Sequence, residues 1–211
     1  MRFKLIACEI LRHEIDALTE NLLHQVDVDF LPMQLHTIGR KRMKNRLAEH
    51  LAAVNEECYD ALLLGYGLCS GGISGLTAGT IPMVIPRAHD CITFFLGSRK
   101  RYHDYFFDNG GTYFMTTGWF EHDNAFNYDS DMMPFYNKVA FIEMGIEPDD
   151  TLEQQARHIA EERHWEFEKV SGDLSLLRRL ISGDWNEDFL IVPPGKQIRE
   201  SYNDDVIELV P

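Results

Sequence analysis

Residues 60–67 read DALLLGYG. Four apolar residues run without a break between an aspartate and a glycine pair. A strand with one wet face would alternate; an unbroken short run marks a strand covered on both sides, as in a parallel sheet. Working outward, FKLIAC (3–8) and IPMVIP (81–86) have the same character. Between them, EILRHEIDALTENLLHQ (9–25) sets Ile10, Leu11, Ile15, Leu18 and Leu22 on one helical stripe. VDVDFLPMQL (26–35) alternates and then meets a proline, as a second strand would. Residues 39–57 place Met43, Leu47, Leu51 and Val54 at helical spacing. Strand, helix, strand, helix, strand predicts an α/β fold: a Rossmann-like, three-layer parallel sheet with crossover helices.

Beyond Cys91 the pattern predicts a helix that restarts near Gly97 and Ser98. GTYFMTTGW (111–119) then opens a second section as a strand. MPFYNKVAFIEMG (133–145) and TLEQQARHIAEERH (151–164) read as helices, WEFEKV (165–170) as a strand, DLSLLRRLI (173–181) as a helix, and DFLIVPP (188–194) as a strand. DVIELVP (205–211) reads as one more strand. The chain divides at 96–111 into a first section, 1–100, and a second, 101–211, as two similar lobes or one continuous sheet. The second would close a cleft over the first.

Lys and Arg number 20 against 34 Asp and Glu, a formal charge of −14. That excess disfavours nucleic acid and anionic membrane as partners. No apolar run approaches the length needed to cross a bilayer. The opening MRFKLIACEI passes directly into LRHEID, so no secretory signal and a cytoplasmic setting are expected. The basic run SRKRYH (98–103) reads as the solvated first turn of a helix.

Open parallel sheets bind ligands beyond the carboxyl ends of their strands. Cys8 ends the first predicted strand, and His36 follows the second. Cys69 follows the third within GYGLCSGG (65–72). His89 and Cys91 follow the fourth within PRAHDCITFF (86–95). Four successive strands thus deliver sulfur or imidazole to one edge. Singly, each has a plainer explanation: a lone cysteine is usually a small buried hydrophobe, and His89 serves equally to cap backbone carbonyls. Cys58, late in a helix, reads as packing. No CxxC pair occurs, so a metal site would be assembled from distant parts of the chain.

Thiolate with imidazole suits zinc, and a catalytic zinc keeps an open position. Cys8, Cys69 and Cys91 would be ligands, with His89 or His36 as a fourth ligand or His89 as acid/base. An iron–sulfur cluster is an alternative. So is a metal-free site with Cys69 or Cys91 as nucleophile and His89 as base. Asp90 is placed to cap the helix opened by Cys91, whose dipole would lower the thiol pKa. Arg87 would hold an anionic group of a small-molecule substrate, unless it pairs with Asp90. Gly71 and Gly72 lie in a loop without the spacing of a dinucleotide site, but its amides would form an anion-binding concavity. In TTGWFEHD (116–123), Trp119, Glu121 and His122 are placed to line the opposite wall, or to form plain surface.

The stretches IACE, YGLC, PRAHDCITFFLGS and GTYFMTTGW together resemble the domain-of-unknown-function family 1638 of anaerobic bacteria and archaea, most specifically in HDC and LGS. The resemblance runs from the first strand to Trp119 and more loosely beyond. It brings no activity. It implies an association with corrinoid-dependent methyl transfer. On that reading a corrinoid methyltransferase is a partner, or the chain is a noncatalytic carrier of a corrinoid, metal or small anion.

Overall fold

A computed structural model describes residues 1–20, 22, 24–121 and 135–211. Its central sheet is built from β1 (Arg2–Cys8), β2 (Gln25–Leu31), β3 (Ala61–Gly65) and β4 (Met83–Pro86), with β8 (Phe189–Val192) at one edge. The order is β2-β1-β3-β4-β8. The first four strands are parallel, and β8 runs antiparallel to β4. The run at 61–65 is buried at every residue, as a strand covered on both faces must be. At its end Gly65 crosses β1 so closely that a Cβ would lie 2.7 Å from that of Ala7. Helices α1 (Arg12–Thr19) and α2 (Arg40–Ala52) are the expected crossovers. Met43, Leu47 and Leu51 are buried, which confirms that stripe.

The helix after β4 is divided as expected, into α3 (Cys91–Phe95) and α4 (Arg99–Asp108). A second, three-stranded parallel sheet follows. It contains β5 (Thr112–Met115), β6 (Lys138–Glu143) and β7 (Glu166–Ser171), in that order, with α5 (Thr117–Glu121) and α6 (Thr151–Arg163) in the connections. The α/β class with mainly parallel sheets is therefore observed. One element differs. Residues 138–143 form β6, not a helix, because KVAFIE presents a run buried at its four central positions.

After β7 the chain returns to the first sheet. Helix α7 (Ser175–Ser182) packs against β3, β4 and α1, burying Leu176, Leu177, Leu180 and Ile181. Strand β8 then pairs with β4, and a hairpin of β9 (Ile198–Glu200) and β10 (Ile207–Leu209) completes the chain. The sheets are thus not divided in sequence at residue 101. One hydrophobic core runs through the first sheet and takes in Phe114, Ala140 and Val170 from the second. No helix among the described residues is long and apolar enough to cross a membrane.

Candidate functional site

A cavity of about 460 Å³ opens between the two sheets. Cys8, His36, Cys69, His89 and Cys91 all line it. The parallel arrangement brings this about, because the carboxyl ends of β1, β2, β3 and β4 share one edge. Cys8 is the last residue of β1 and is buried. His36 closes a short 3-10 turn after β2 and stands exposed at the rim.

Cys69 and the 89–91 segment are held together by their backbones. The Leu68 amide donates to the Ala88 carbonyl and the Cys69 amide to that of His89, both at 2.8 Å. This approach requires Gly67: a Cβ there would lie 2.7 Å from both the nitrogen and the Cα of Asp90. The turn that follows is strained. Cys69 and Ser70 adopt φ of 45° and 57°, a left-handed conformation that side chains with a Cβ normally avoid. Such strain persists only where the surroundings enforce it, and it clusters at functional sites.

Asp90 is the N-cap of α3, as expected: its Oδ1 accepts from the Ile92 amide at 2.9 Å. Its Oδ2 accepts from the Tyr102 hydroxyl, also at 2.9 Å. The Tyr102 ring stacks on His89 with centroids 5.3 Å apart. This Tyr102–Asp90–His89 arrangement fixes the floor from α4. The second sheet and its connections also contribute to the lining, with Phe114 and Trp119 among its residues. Trp119 is in the wall as expected; His122 lies outside the described residues, and Glu121 pairs with His13 at 2.8 Å instead.

Electrostatics separates the candidate chemistries. Burial pushes the Cys8 thiol up to about 11. Burial also raises Cys69, with the charges of Asp90 and Cys8 adding to it. Cys91 is raised too, by burial and by Asp90, Cys69 and Cys8. The expected lowering of the Cys91 pKa by its helix is thus overturned: α3 has only five residues, and desolvation beside a carboxylate outweighs its dipole. The three thiols are close enough for each thiolate to disfavour the next. Partial desolvation by the protein around them lowers both His36 and His89, although both rings keep solvent-exposed surface, so each favours the neutral imidazole.

Three sequence-derived assignments do not converge on the cavity. Arg87 is absent from its lining. The guanidinium donates to the carbonyls of Asp205 and Ile207, at 2.9 and 2.6 Å, and faces the Asp205 carboxylate at 3.5 Å, anchoring the C-terminal hairpin. A Cβ on Gly71 would strike Arg40, and one on Gly72 would strike Met43, so both glycines let α2 pack close. The Gly72 amide is spent on the Cys69 carbonyl. Cys58 is exposed and distant in role, accepting from Asn55 at 3.4 Å. Tyr66 and Tyr102 are among the cavity residues that the sequence reading did not single out. For Tyr66, the available signal was an aromatic residue set between glycines just beyond a strand end.

The donors share a wall without being drawn around one point: no group of three His, Cys, Asp or Glu among the described residues is arranged to hold a metal ion.

The model of a family described as "Protein of unknown function (DUF1638)" matches residues 30–181. No curated protein and no solved structure matches the chain. The match spans most of the chain, which therefore belongs to the DUF1638 family.

Proposed function

We propose that this DUF1638 member carries a metal–thiolate centre, zinc in the first instance, at the floor of a small-molecule cavity. The observation that carries the reading is the meeting of Cys8, Cys69 and Cys91, from three separate strand ends, in the lining of one cavity with two imidazoles. The types of donor suit the ion, although among the described residues no three of them are arranged around one point. Soft thiols with borderline imidazole favour zinc over hard cations. His89 or His36 supplies a fourth ligand, or His89 moves a proton near the site.

The pKa directions favour this reading over a metal-free nucleophile. A reactive cysteine needs an electropositive setting that lowers its pKa. Here burial, Asp90 and the neighbouring thiols all raise it. Without a cation the thiols are neutral and weakly nucleophilic. A bound cation deprotonates coordinating thiols outright, turning the unfavourable cluster of three into a favourable one. When bound, zinc would hold an incoming thiol as thiolate at neutral pH, which is the chemistry of alkyl transfer to sulfur.

At about 460 Å³ the cavity is of a size for one small molecule. A corrinoid is larger, so methyl transfer from one would place it on a partner methyltransferase docked at the cavity mouth. The test is metal analysis and absorption spectroscopy of protein purified without air or chelator. About one colourless metal ion per chain is expected. A broad visible absorption with bound iron would replace zinc by an iron–sulfur cluster. Less than about a tenth of a metal ion per chain would end the proposal.

A further inference from the structure

Aromatic rings make up much of the cavity lining, and they stand in groups. Tyr102 and Phe106 of α4 have centroids 4.4 Å apart, and Phe106 lies 5.4 Å from Phe114 of β5. In a second group, Tyr113 of β5 meets Tyr136 edge to face at 5.3 Å. All five line the cavity, together with Trp119. Tyr102, Phe106, Trp119 and Tyr136 are only partly buried and keep accessible surface.

The face of such a ring carries partial negative charge and attracts a cation. The same fold shows this elsewhere. The Arg12 guanidinium lies over Phe30 at 4.1 Å, and that of Arg157 over Phe167 at 4.0 Å. Among the described residues that line the cavity there is no Lys or Arg. No lysine or arginine in the wall therefore takes the place of an incoming cation or repels it. The formal charge of −14 adds a field that draws small cations to the chain. The attraction of the rings does not depend on the protonation of any group in the wall.

The polar groups narrow the kind of cation. A primary ammonium brings three N–H donors, each of which needs an acceptor once water is left behind. Asp90 is the one carboxylate among the described lining residues, and its oxygens already accept from the Ile92 amide and the Tyr102 hydroxyl. A quaternary ammonium has no N–H to satisfy and spreads its charge over methyl groups that pack on rings.

We propose that the cavity binds a quaternary ammonium compound, with its trimethylammonium group held among the rings of Tyr102, Phe106, Phe114 and Tyr136. This deepens the reading of the cavity as a small-molecule site and rests on it, but not on the metal. The test is calorimetric titration of the full chain, in the preparation used for metal analysis, with three probes. Choline carries the quaternary group. Its neutral isostere has a tert-butyl group in place of trimethylammonium. Ethanolamine carries a primary ammonium.

Choline should bind most tightly, roughly threefold to thirtyfold better than the neutral isostere, the span of a cation–π contact as it is desolvated. A merely apolar cavity gives the reverse order, because the neutral alcohol is easier to remove from water. Phe106→Leu and Tyr136→Leu each keep apolar bulk and remove a ring. At least one should narrow the gap between choline and the isostere, through weaker choline binding. The isostere or ethanolamine binding the wild-type chain as tightly as choline would overturn the proposal without recourse to a variant. So would choline failing to bind at millimolar concentration, or a gap unchanged in both variants. A metal-loaded chain that ignores choline would sink this inference alone, and a metal-free chain that binds choline would sink only the metal centre.

Discussion

Cys69 shows how a single residue reveals competing demands. Its φ of 45° is followed by 57° at Ser70 and 85° at Gly71, three left-handed residues in succession. Only the third is of the type that adopts this conformation without cost. A cysteine that served merely to fill space would be better replaced by glycine, which would relieve roughly 1 kcal/mol of backbone strain. Its retention therefore fits a role for the sulfur. Cys69→Gly should leave the melting temperature equal or higher, while zinc binding falls at least tenfold. A variant that binds zinc as the wild type does would assign Cys69 to packing. At this scale the sequence was informative about position and poor about environment. Cys8, Cys69 and Cys91 could be placed at strand ends from apolar runs alone. Their raised pKa values could not be foreseen, because desolvation depends on what the second sheet places over them.

Among elements, the contact of α1 with α5 joins the two sheets and encloses a second polar feature. Glu14 on α1 is fully buried, and neither carboxylate oxygen has a hydrogen-bond partner among the described residues. Beside it are His13 on the same helix, Glu121 on α5 and Glu147 in the turn after β6. Burial is the main cause that lifts its pKa from 4.5 to about 7; His13 opposes the rise and the two glutamates add to it. The folded state thus holds a proton that the unfolded chain releases at lower pH. The stability contributed by this proton is complete below pH 4.5, falls as pH rises through about 7, and is absent above that. Glu14→Gln should remove the dependence. Urea unfolding should find the variant more stable than wild type at about pH 8, by up to about 3 kcal/mol, with the difference vanishing near pH 4. Equal pH profiles for the two proteins would contradict this account of Glu14. The sequence reading passed over Glu14, because a charged residue on an amphipathic helix gives no sign that another element will cover it. The same limit explains β6: KVAFIE is an apolar run compatible with a buried helix or strand, and only its pairing with β5 and β7 decides.

Across the whole molecule, the return of α7 and β8 to the first sheet makes the cavity floor depend on the end of the chain. Leu176, Leu177, Leu180 and Ile181 are buried by this return. At roughly 1.5–3 kcal/mol for each side chain, they contribute an amount comparable to the net stability of a domain. A fragment of residues 1–100 should therefore lack a cooperative thermal transition by circular dichroism, although it contains all three site cysteines. A sharp two-state melt would show that the first sheet stands alone. That the first four strands run parallel followed from sequence pattern, since the alternation of strands and crossover helices implies it; their order in the sheet did not. The antiparallel return of β8 did not, because nothing within FLIV specifies which sheet edge it joins. The central claim is that three cysteines from three strand ends act on one ion, and Cys58, exposed and outside the cavity, is the internal control. The most direct measurement is zinc content, per chain, of four anaerobically purified single variants: Cys8→Ser, Cys69→Ser, Cys91→Ser and Cys58→Ser. The account predicts that the first three lose the ion while Cys58→Ser keeps about one. Zinc retained in all four, or lost only with Cys58→Ser, would contradict it.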